Sequence, residues 1–383
     1  MSTTAKDDRI TLYGVPHSLY TGRARSYLIK AGILFREAPP SDPHFQGEVI
    51  AKAGGKLGLP TIDFPEGHSS GPRVIRDGAA IIDHFEQANG HRFSPQTPKQ
   101  RFFSRLFDAI GAEGLLRPAM HYRWNFEAEN LDYLIFHFEM LMPPGEQGQI
   151  MARKAADKMR GAMRAFGVNE DTAPMVEALY ADVLAAMDAH FAAHPYLLGG
   201  KPSIGDFGLF APMFGHLGRD PKPLMIMQAN ALRVFRWVER MGREASDILE
   251  FQTREEDYRP GDEIPATLID LLKALAVDFV PETLAAAQTI NGWIAEQDDL
   301  APGSPCERMI GFASFEARGT KVSAIAQPYR FYLLARAQAE RAAMDEATRA
   351  ELDAMLEACG MSALIEAKLT REMGFDGNRE VWL

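Results

Sequence analysis

Ser18 stands where a short β-rich run, Ile10 to Tyr13, gives way through Gly14, Val15, Pro16 and His17 to a segment with helical spacing. In that segment Ala24, Tyr27, Leu28 and Ala31 recur at i, i+3, i+4 and i+7, one face of a helix. A hydroxyl at such a joint is a good helix cap. It can also do chemistry. The first turn of a helix carries unpaired N–H groups and the positive end of the dipole, so it favours an anion. A free thiol titrates at about 8.5, and a hydroxyl beside those amides lowers the proton affinity of a bound sulfur without supplying one. Both roles, cap and thiolate stabiliser, are open for Ser18, and His17 and Tyr20 are the nearest substitutes for the second.

The elements that must position this residue follow from the next eighty positions. Phe35 to Ala38 reads as a second strand, and His44 to Lys52 as helical material ending at Gly54-Gly55. Leu59-Pro60-Thr61-Ile62-Asp63-Phe64 is a strand entered through a proline, which lacks a ladder donor and so belongs at a strand entrance or in a cis turn. A turn between Glu66 and Pro72 returns the chain as Arg73 to Arg76. Asp77 then caps a helix with Ala80, Ile81 and Phe85 on its apolar face, closing at Asn89-Gly90. The order β-α-β-α-β-β-α makes a compact α/β unit.

Beyond Pro95 and Pro98 the pattern becomes helical. Ser203 with Asp206 is a capping box ahead of Phe207, Leu209 and Phe210, and its role is structural. Residues 242–265 are polar and contain Pro260-Gly261 and Pro265, a second boundary. Later, Pro281 is placed at the first turn of a helix, Arg318-Gly319-Thr320 can turn a hairpin, and Ser362 to Met373 reads as helical. The expected organisation is a 1–92 α/β domain, a 99–245 all-helical domain and a 262–383 mostly helical extension, an α/β plus all-α fold class.

The chain has 383 residues, 46% hydrophobic and 24% charged, the balance of a soluble globular protein of two or three domains. A formal charge of −11 opposes general nucleic-acid or anionic-membrane binding. The two cysteines, Cys306 and Cys359, have no metal-ligand spacing, so no metal is expected and a reducing, cytoplasmic setting fits. Residues 1–9 lack the apolar core of a signal peptide, and no run has the roughly 18 apolar residues of a membrane span.

Four segments, LYGVPHSLYTGRAR, GLPTI, VIRDGAAIIDHFE and YLLGGKPSIGDF, occur in an order and spacing that resembles the cytosolic glutathione transferase family, over about residues 10 to 240. The resemblance implies a thioredoxin-like domain that holds glutathione as co-substrate, a helical domain that supplies an acceptor pocket, and a homodimer. In serine-type members the catalytic serine precedes an Arg-x-Arg segment by five positions, as Ser18 precedes Arg23-Ala24-Arg25, so that role carries over to Ser18. Leu19 stands where many relatives have proline. Leu59 before a cis Pro60 would pair with the cysteinyl backbone of glutathione, as an added strand does. Asp77 matches the acidic residue near the γ-glutamyl amine, Gly78 stands where a serine usually binds the γ-glutamyl carboxylate, and Tyr20 borders the same site. The absence of a cysteine near position 18 points to conjugation, elimination or isomerisation rather than thiol–disulfide exchange.

His121, Tyr122 and Trp124, read as an aromatic helix start in the second domain, are candidates for an acceptor pocket taking a hydrophobic electrophile, with interhelical packing as the other reading. Gln327-Pro328-Tyr329-Arg330 reads as core packing, with closure over the active-site mouth as the alternative. Lys56 and His44 lie where relatives often place a group for the glycyl carboxylate. Against the transferase stands a non-catalytic binding or scaffold protein on the same fold, which Gly78 favours and Ser18 and Pro60 oppose.

Overall fold

The computed structural model describes residues 9–68, 73–245, 247–251 and 256–383. The expected turn at Gly71-Pro72 and residues 1–8 of the amino-terminal segment lie outside them. The N-terminal unit runs β1 (Ile10–Tyr13), α1 (Leu19–Lys30), β2 (Phe35–Ala38), a π-turn (Phe45–Val49) continuing into α2 (Ile50–Lys52), β3 (Thr61–Asp63), β4 (Val74–Arg76) and α3 (Gly78–Ala88). The sheet order is β2-β1-β3-β4, with β1 and β2 parallel and the other pairs antiparallel. Ile10 pairs with Phe35 and Ile62 with Ile75, so the buried side chains of β1 and β3 meet those of α1 and α3 in one core. This small mixed sheet with its helices is a thioredoxin-like arrangement, and helices follow it.

Those helices are α4 (Pro98–Glu113), α5 (Leu116–Trp124), α6 (Glu127–Glu139), α7 (Glu146–Ala162), α8 (Ala173–Phe191), α9 (Ile204–Gly215), α10 (Pro221–Asn230) and α11 (Leu232–Met241). The capping box forms at the head of α9: Asp206 accepts from the Ser203 amide at 2.8 Å, from the Leu197 amide at 3.1 Å and from the Trp237 indole at 3.2 Å. A fully buried carboxylate with that many donors fixes α9 against α11. At its other end α9 meets α1. A Cβ on Gly215 would lie 2.4 Å from Leu19 Cα, so only glycine lets α9 approach the start of α1 so closely.

The remainder is α12 (Ala266–Ala295), the hairpin β5 (Phe312–Ala317) and β6 (Thr320–Ile325), α13 (Pro328–Ala342), α14 (Glu346–Ala358) and the hairpin β7 (Met373–Asp376) and β8 (Arg379–Trp382). Arg318 and Gly319, both at positive φ, turn the first hairpin as expected. Two local expectations are corrected. Pro281 sits inside α12 rather than opening a helix, because the apolar residues on both sides of it, from Leu268 to Ile290, are buried along one continuous seam. The segment expected as a helix from Ser362 to Met373 makes only a 3₁₀ turn, Ser362–Ile365, and its end enters β7. Apolar residues of α12 and α13 belong to the same core as the N-terminal unit, so the extension is packed into the molecule.

Candidate functional site

Ser18 has extended backbone (φ −87, ψ 126), and its Oγ accepts from the Thr21 amide at 3.3 Å, as an N-cap does. The joint is held from beneath by Arg123, which sequence reasoning missed. Its buried guanidinium donates to the His17 carbonyl (3.0 Å), to the Gly215 carbonyl (2.9 Å) and, in a two-pronged pair, to Asp220 at 2.6 and 2.8 Å. A planar fork engaging α9, the head of α10 and the Ser18 turn fixes their relative positions. His17 is buried, and burial together with Arg123 pushes its imidazole down to about 2. It stays neutral and packs on His137 and Phe138. That environment leaves it poorly suited to substitute for Ser18.

The Leu59–Pro60 peptide is cis. Among the described residues the Leu59 N–H and C=O carry no hydrogen bond, whereas the Pro60 carbonyl accepts from the Asp77 amide at 3.1 Å. Asp77 is one of four non-glycine residues at positive φ (93°) among those described. Such outliers cost about 1–3 kcal/mol and gather at functional positions. Its Oδ1 accepts from the Ala79 (2.8 Å) and Ala80 (3.0 Å) amides, capping α3. Burial raises its carboxyl, while the Ala80 amide and the Arg23 guanidinium lower it.

Tyr20, Pro60 and Gly78 come together. A Cβ on Gly78 would lie 3.6 Å from the Tyr20 carbonyl oxygen and from Arg23 Cδ, and 3.8 Å from Pro60 Cγ, all ordinary contacts. Arg23 is itself buried and paired with Asp108 of α4. A side-chain Cβ therefore fits at position 78 without displacing anything. The sequence resemblance implies a γ-glutamyl carboxylate here, in which case Gly78→Ser raises glutathione affinity about 10-fold by adding one hydroxyl donor to a charged group. Isothermal titration of both proteins checks this, and an unchanged affinity would mean that no carboxylate rests there.

The extension reaches these residues, which no motif announces. The Tyr329 hydroxyl donates to Asp77 Oδ2 at 2.8 Å, and Arg308 stands 5.7 Å over the Tyr20 ring. The β7–β8 turn lies on β4: Asn378 accepts from the Arg76 amide (2.9 Å) and donates to the carbonyls of Lys52 (2.9 Å) and Val74 (3.1 Å), while Glu380 pairs with the Arg76 guanidinium. Gln327 to Arg330 thus packs and also touches a predicted site residue. Burial raises the Tyr20 and Tyr329 phenols above their ordinary range, so both keep their protons. Glu113, at the end of α4, is buried with an unpartnered Oε2, and burial pushes it up to about 7 against the pull of Arg330 and Arg308.

His121, Tyr122 and Trp124 are placed at the end of α5 rather than at a helix start, and all three are buried. His121 pairs with Glu177 at 3.0 Å, Tyr122 stacks on Phe126 with centroids 5.4 Å apart, and Trp124 lies under Arg160. Helix packing accounts for their burial. His44 pairs with Asp63 at 3.0 Å and Lys56 approaches Glu307 at 3.9 Å. A groove of about 680 Å³, lined by Phe331, Tyr332, Met373, Phe375 and Leu383 among others, borders none of the predicted site residues. Among the described residues no group of three or more His, Cys, Asp and Glu side chains could hold a metal, and no helix is long and apolar enough to cross a membrane.

Neither a family model nor a curated protein matches the chain. Solved structures do. A glutathione transferase, GSTFuA3 of Phanerochaete chrysosporium, is 17% identical with a TM-score of 0.43, over 62% of this chain and 97% of its own. The β-etherase LigF of a Sphingobium strain is 16% identical with a TM-score of 0.41, over 61% of this chain and 94% of its own. A glutathione transferase family member of Pseudomonas fluorescens, solved with two glutathione bound, is 14% identical with a TM-score of 0.36, over 62% of this chain and 90% of its own. What the chain shares with them is an arrangement: a small mixed sheet followed by a helical domain.

Proposed function

We propose that the chain is a glutathione transferase-like enzyme in which Ser18, at the head of α1, stabilises the thiolate of bound glutathione for attack on a hydrophobic electrophile. The observation that carries this reading is the conjunction of a hydroxyl at a helix N-terminus with the Leu59 backbone groups that carry no hydrogen bond among the described residues. Ser18 Oγ accepts a hydrogen bond from Thr21, and its own proton has no acceptor among the described residues, so it is free to donate to sulfur. Leu59 would pair with the cysteinyl backbone, and Gly78 would offer its amide to the γ-glutamyl carboxylate. Proximity to an acceptor supplies much of the remaining rate. The reading carries with it a cytoplasmic homodimer, which sedimentation of the purified protein addresses.

The test is binding followed by thiolate absorbance. Glutathione at about 100 times its Kd stabilises its receptor by about 2.7 kcal/mol, visible as a raised thermal midpoint. The bound thiol is expected to show thiolate absorbance at neutral pH. No shift and no absorbance would defeat the reading. A second reading, a non-catalytic binding or scaffold protein, is favoured by one contact: Tyr329 already holds the Asp77 oxygen that an amine would use. Binding without any conjugation across a panel of electrophiles would select it.

A further inference from the structure

The charges at the Asp77–Tyr20 end of the proposed site are set by the extension, and they are unlike those an amino acid's two groups would both need. Both Asp77 oxygens are taken, Oδ1 by the amides of α3 and Oδ2 by the Tyr329 hydroxyl. An incoming ammonium would have to displace a phenol that keeps its proton at every ordinary pH. Arg308 stands on the other side. It is exposed, its guanidinium lies over the Tyr20 ring, and among the described residues it pairs with no carboxylate. The nearby acids are occupied elsewhere: Glu307 faces Lys56 and Glu380 pairs with Arg76. Burial pushes Glu113 up toward its protonated form, which weakens its hold on the cation, with Arg330 and Arg308 opposing. The Arg308 guanidinium also hydrogen-bonds the Tyr20 side chain, and the other N–H groups of its planar fork keep the geometry that grips a carboxylate.

We propose that this end of the site recognises a carboxylate through Arg308 and does not require the ammonium beside it. The ligand class is then a thiol carrying an acid group at its γ-acyl end, amine optional. Arg308 takes over the part of the hydroxyl that Gly78 lacks. The inference rests on the thiol-peptide binding proposed above, and it names a specificity determinant that the N-terminal unit does not contain.

The experiment titrates the full chain calorimetrically with three probes: glutathione, its des-amino analogue glutaryl-cysteinyl-glycine, and its decarboxy analogue 4-aminobutyryl-cysteinyl-glycine. The des-amino probe is expected within about 3-fold of glutathione, and the decarboxy probe about 10-fold weaker or more, the range for one hydrogen-bonded charge. In Arg308→Ala that 10-fold gap closes. Arg308→Gln gives the same measurement should the alanine variant not fold, and the wild-type comparison needs no variant at all. Tyr329→Phe frees the Asp77 oxygen and makes glutathione bind more tightly than the des-amino probe. A des-amino probe about 10-fold weaker than glutathione in the wild type, or a gap that survives in Arg308→Ala, overturns this inference alone. Failure of all three probes to bind overturns it together with the transferase reading.

Discussion

Replacing Arg117 with methionine is expected to destabilise the protein by about 3–5 kcal/mol, the cost of breaking a buried charge network from one side. Arg117 on α5 pairs with Asp278 and, at 3.0 Å, with Glu282, both on α12. Glu282 also meets Arg330 of α13 at 3.0 Å, and Arg330 donates to Thr283 Oγ1 (3.0 Å) and the Glu113 carbonyl (3.1 Å). All of these side chains are buried, so two carboxylates and two guanidiniums hold three helices together away from water. Methionine fills the space and leaves two acids facing one cation. The effect carries a pH signature. Burial pushes the Asp278 carboxyl up to about 6, with Arg117 opposing. A carboxyl raised above its unfolded value of 3.8 contributes stability that is complete below that value and is lost as pH rises through the folded one. Without Arg117 the Asp278 carboxyl is raised further. The deficit of the variant is then full at pH 8 and shrinks toward pH 5, where the stranded Asp278 protonates. Guanidinium midpoints of both proteins at the two pH values test this; an equal deficit at both, or none at pH 8, would show that the network is not what joins α5 to the extension.

The same network explains which parts of the molecule could be read from sequence. The Ser18 and Asp77 caps, the cis Pro60, the Ser203–Asp206 box and each strand taken singly are local events, set by residues within a few positions of one another. Their signals are therefore written in short segments. The start of α5 carries no such signal, since Leu115 offers no capping side chain, and so the pattern suggests a helix start at His121 to Trp124 where the helix in fact ends. The last hairpin did carry one: Gly377-Asn378 is its two-residue loop, with Gly377 at positive φ, and it lies just beyond the segment from Ser362 to Met373 that reads as helical. The contacts of Tyr329 and Arg308 with Asp77 and Tyr20 join residues far apart in the chain, and only the packing of the extension onto the N-terminal unit brings them together. Arg123 is a similar case. A lone arginine in a helix looks like surface, and only the fold surrounds it with two carbonyls and a buried aspartate.

Ser18→Ala is expected to lower kcat for conjugation at neutral pH by about 100- to 1000-fold, the usual cost of one lost donor to a developing or resident anion in a closed site. Glutathione affinity should change by less than about 3-fold, because the tripeptide would be held through Leu59, Gly78 and Arg308 rather than through sulfur. The pH–rate profile separates the chemical role from the capping role. If the hydroxyl lowers the thiol's proton affinity, the variant's rate climbs with pH until it follows an ordinary thiol at about 8.5, and the gap to the wild type narrows there. Loss of the cap alone removes about 1 kcal/mol of stability and leaves the profile in place. Ser18→Gly is the control for that, since glycine caps nearly as well as serine and has no hydroxyl. It should keep the stability and lose the rate. A Ser18→Gly protein with wild-type kcat at neutral pH would mean that sulfur is stabilised by something else at the head of α1, and Tyr20, whose phenol keeps its proton two residues on, would be the next side chain to replace.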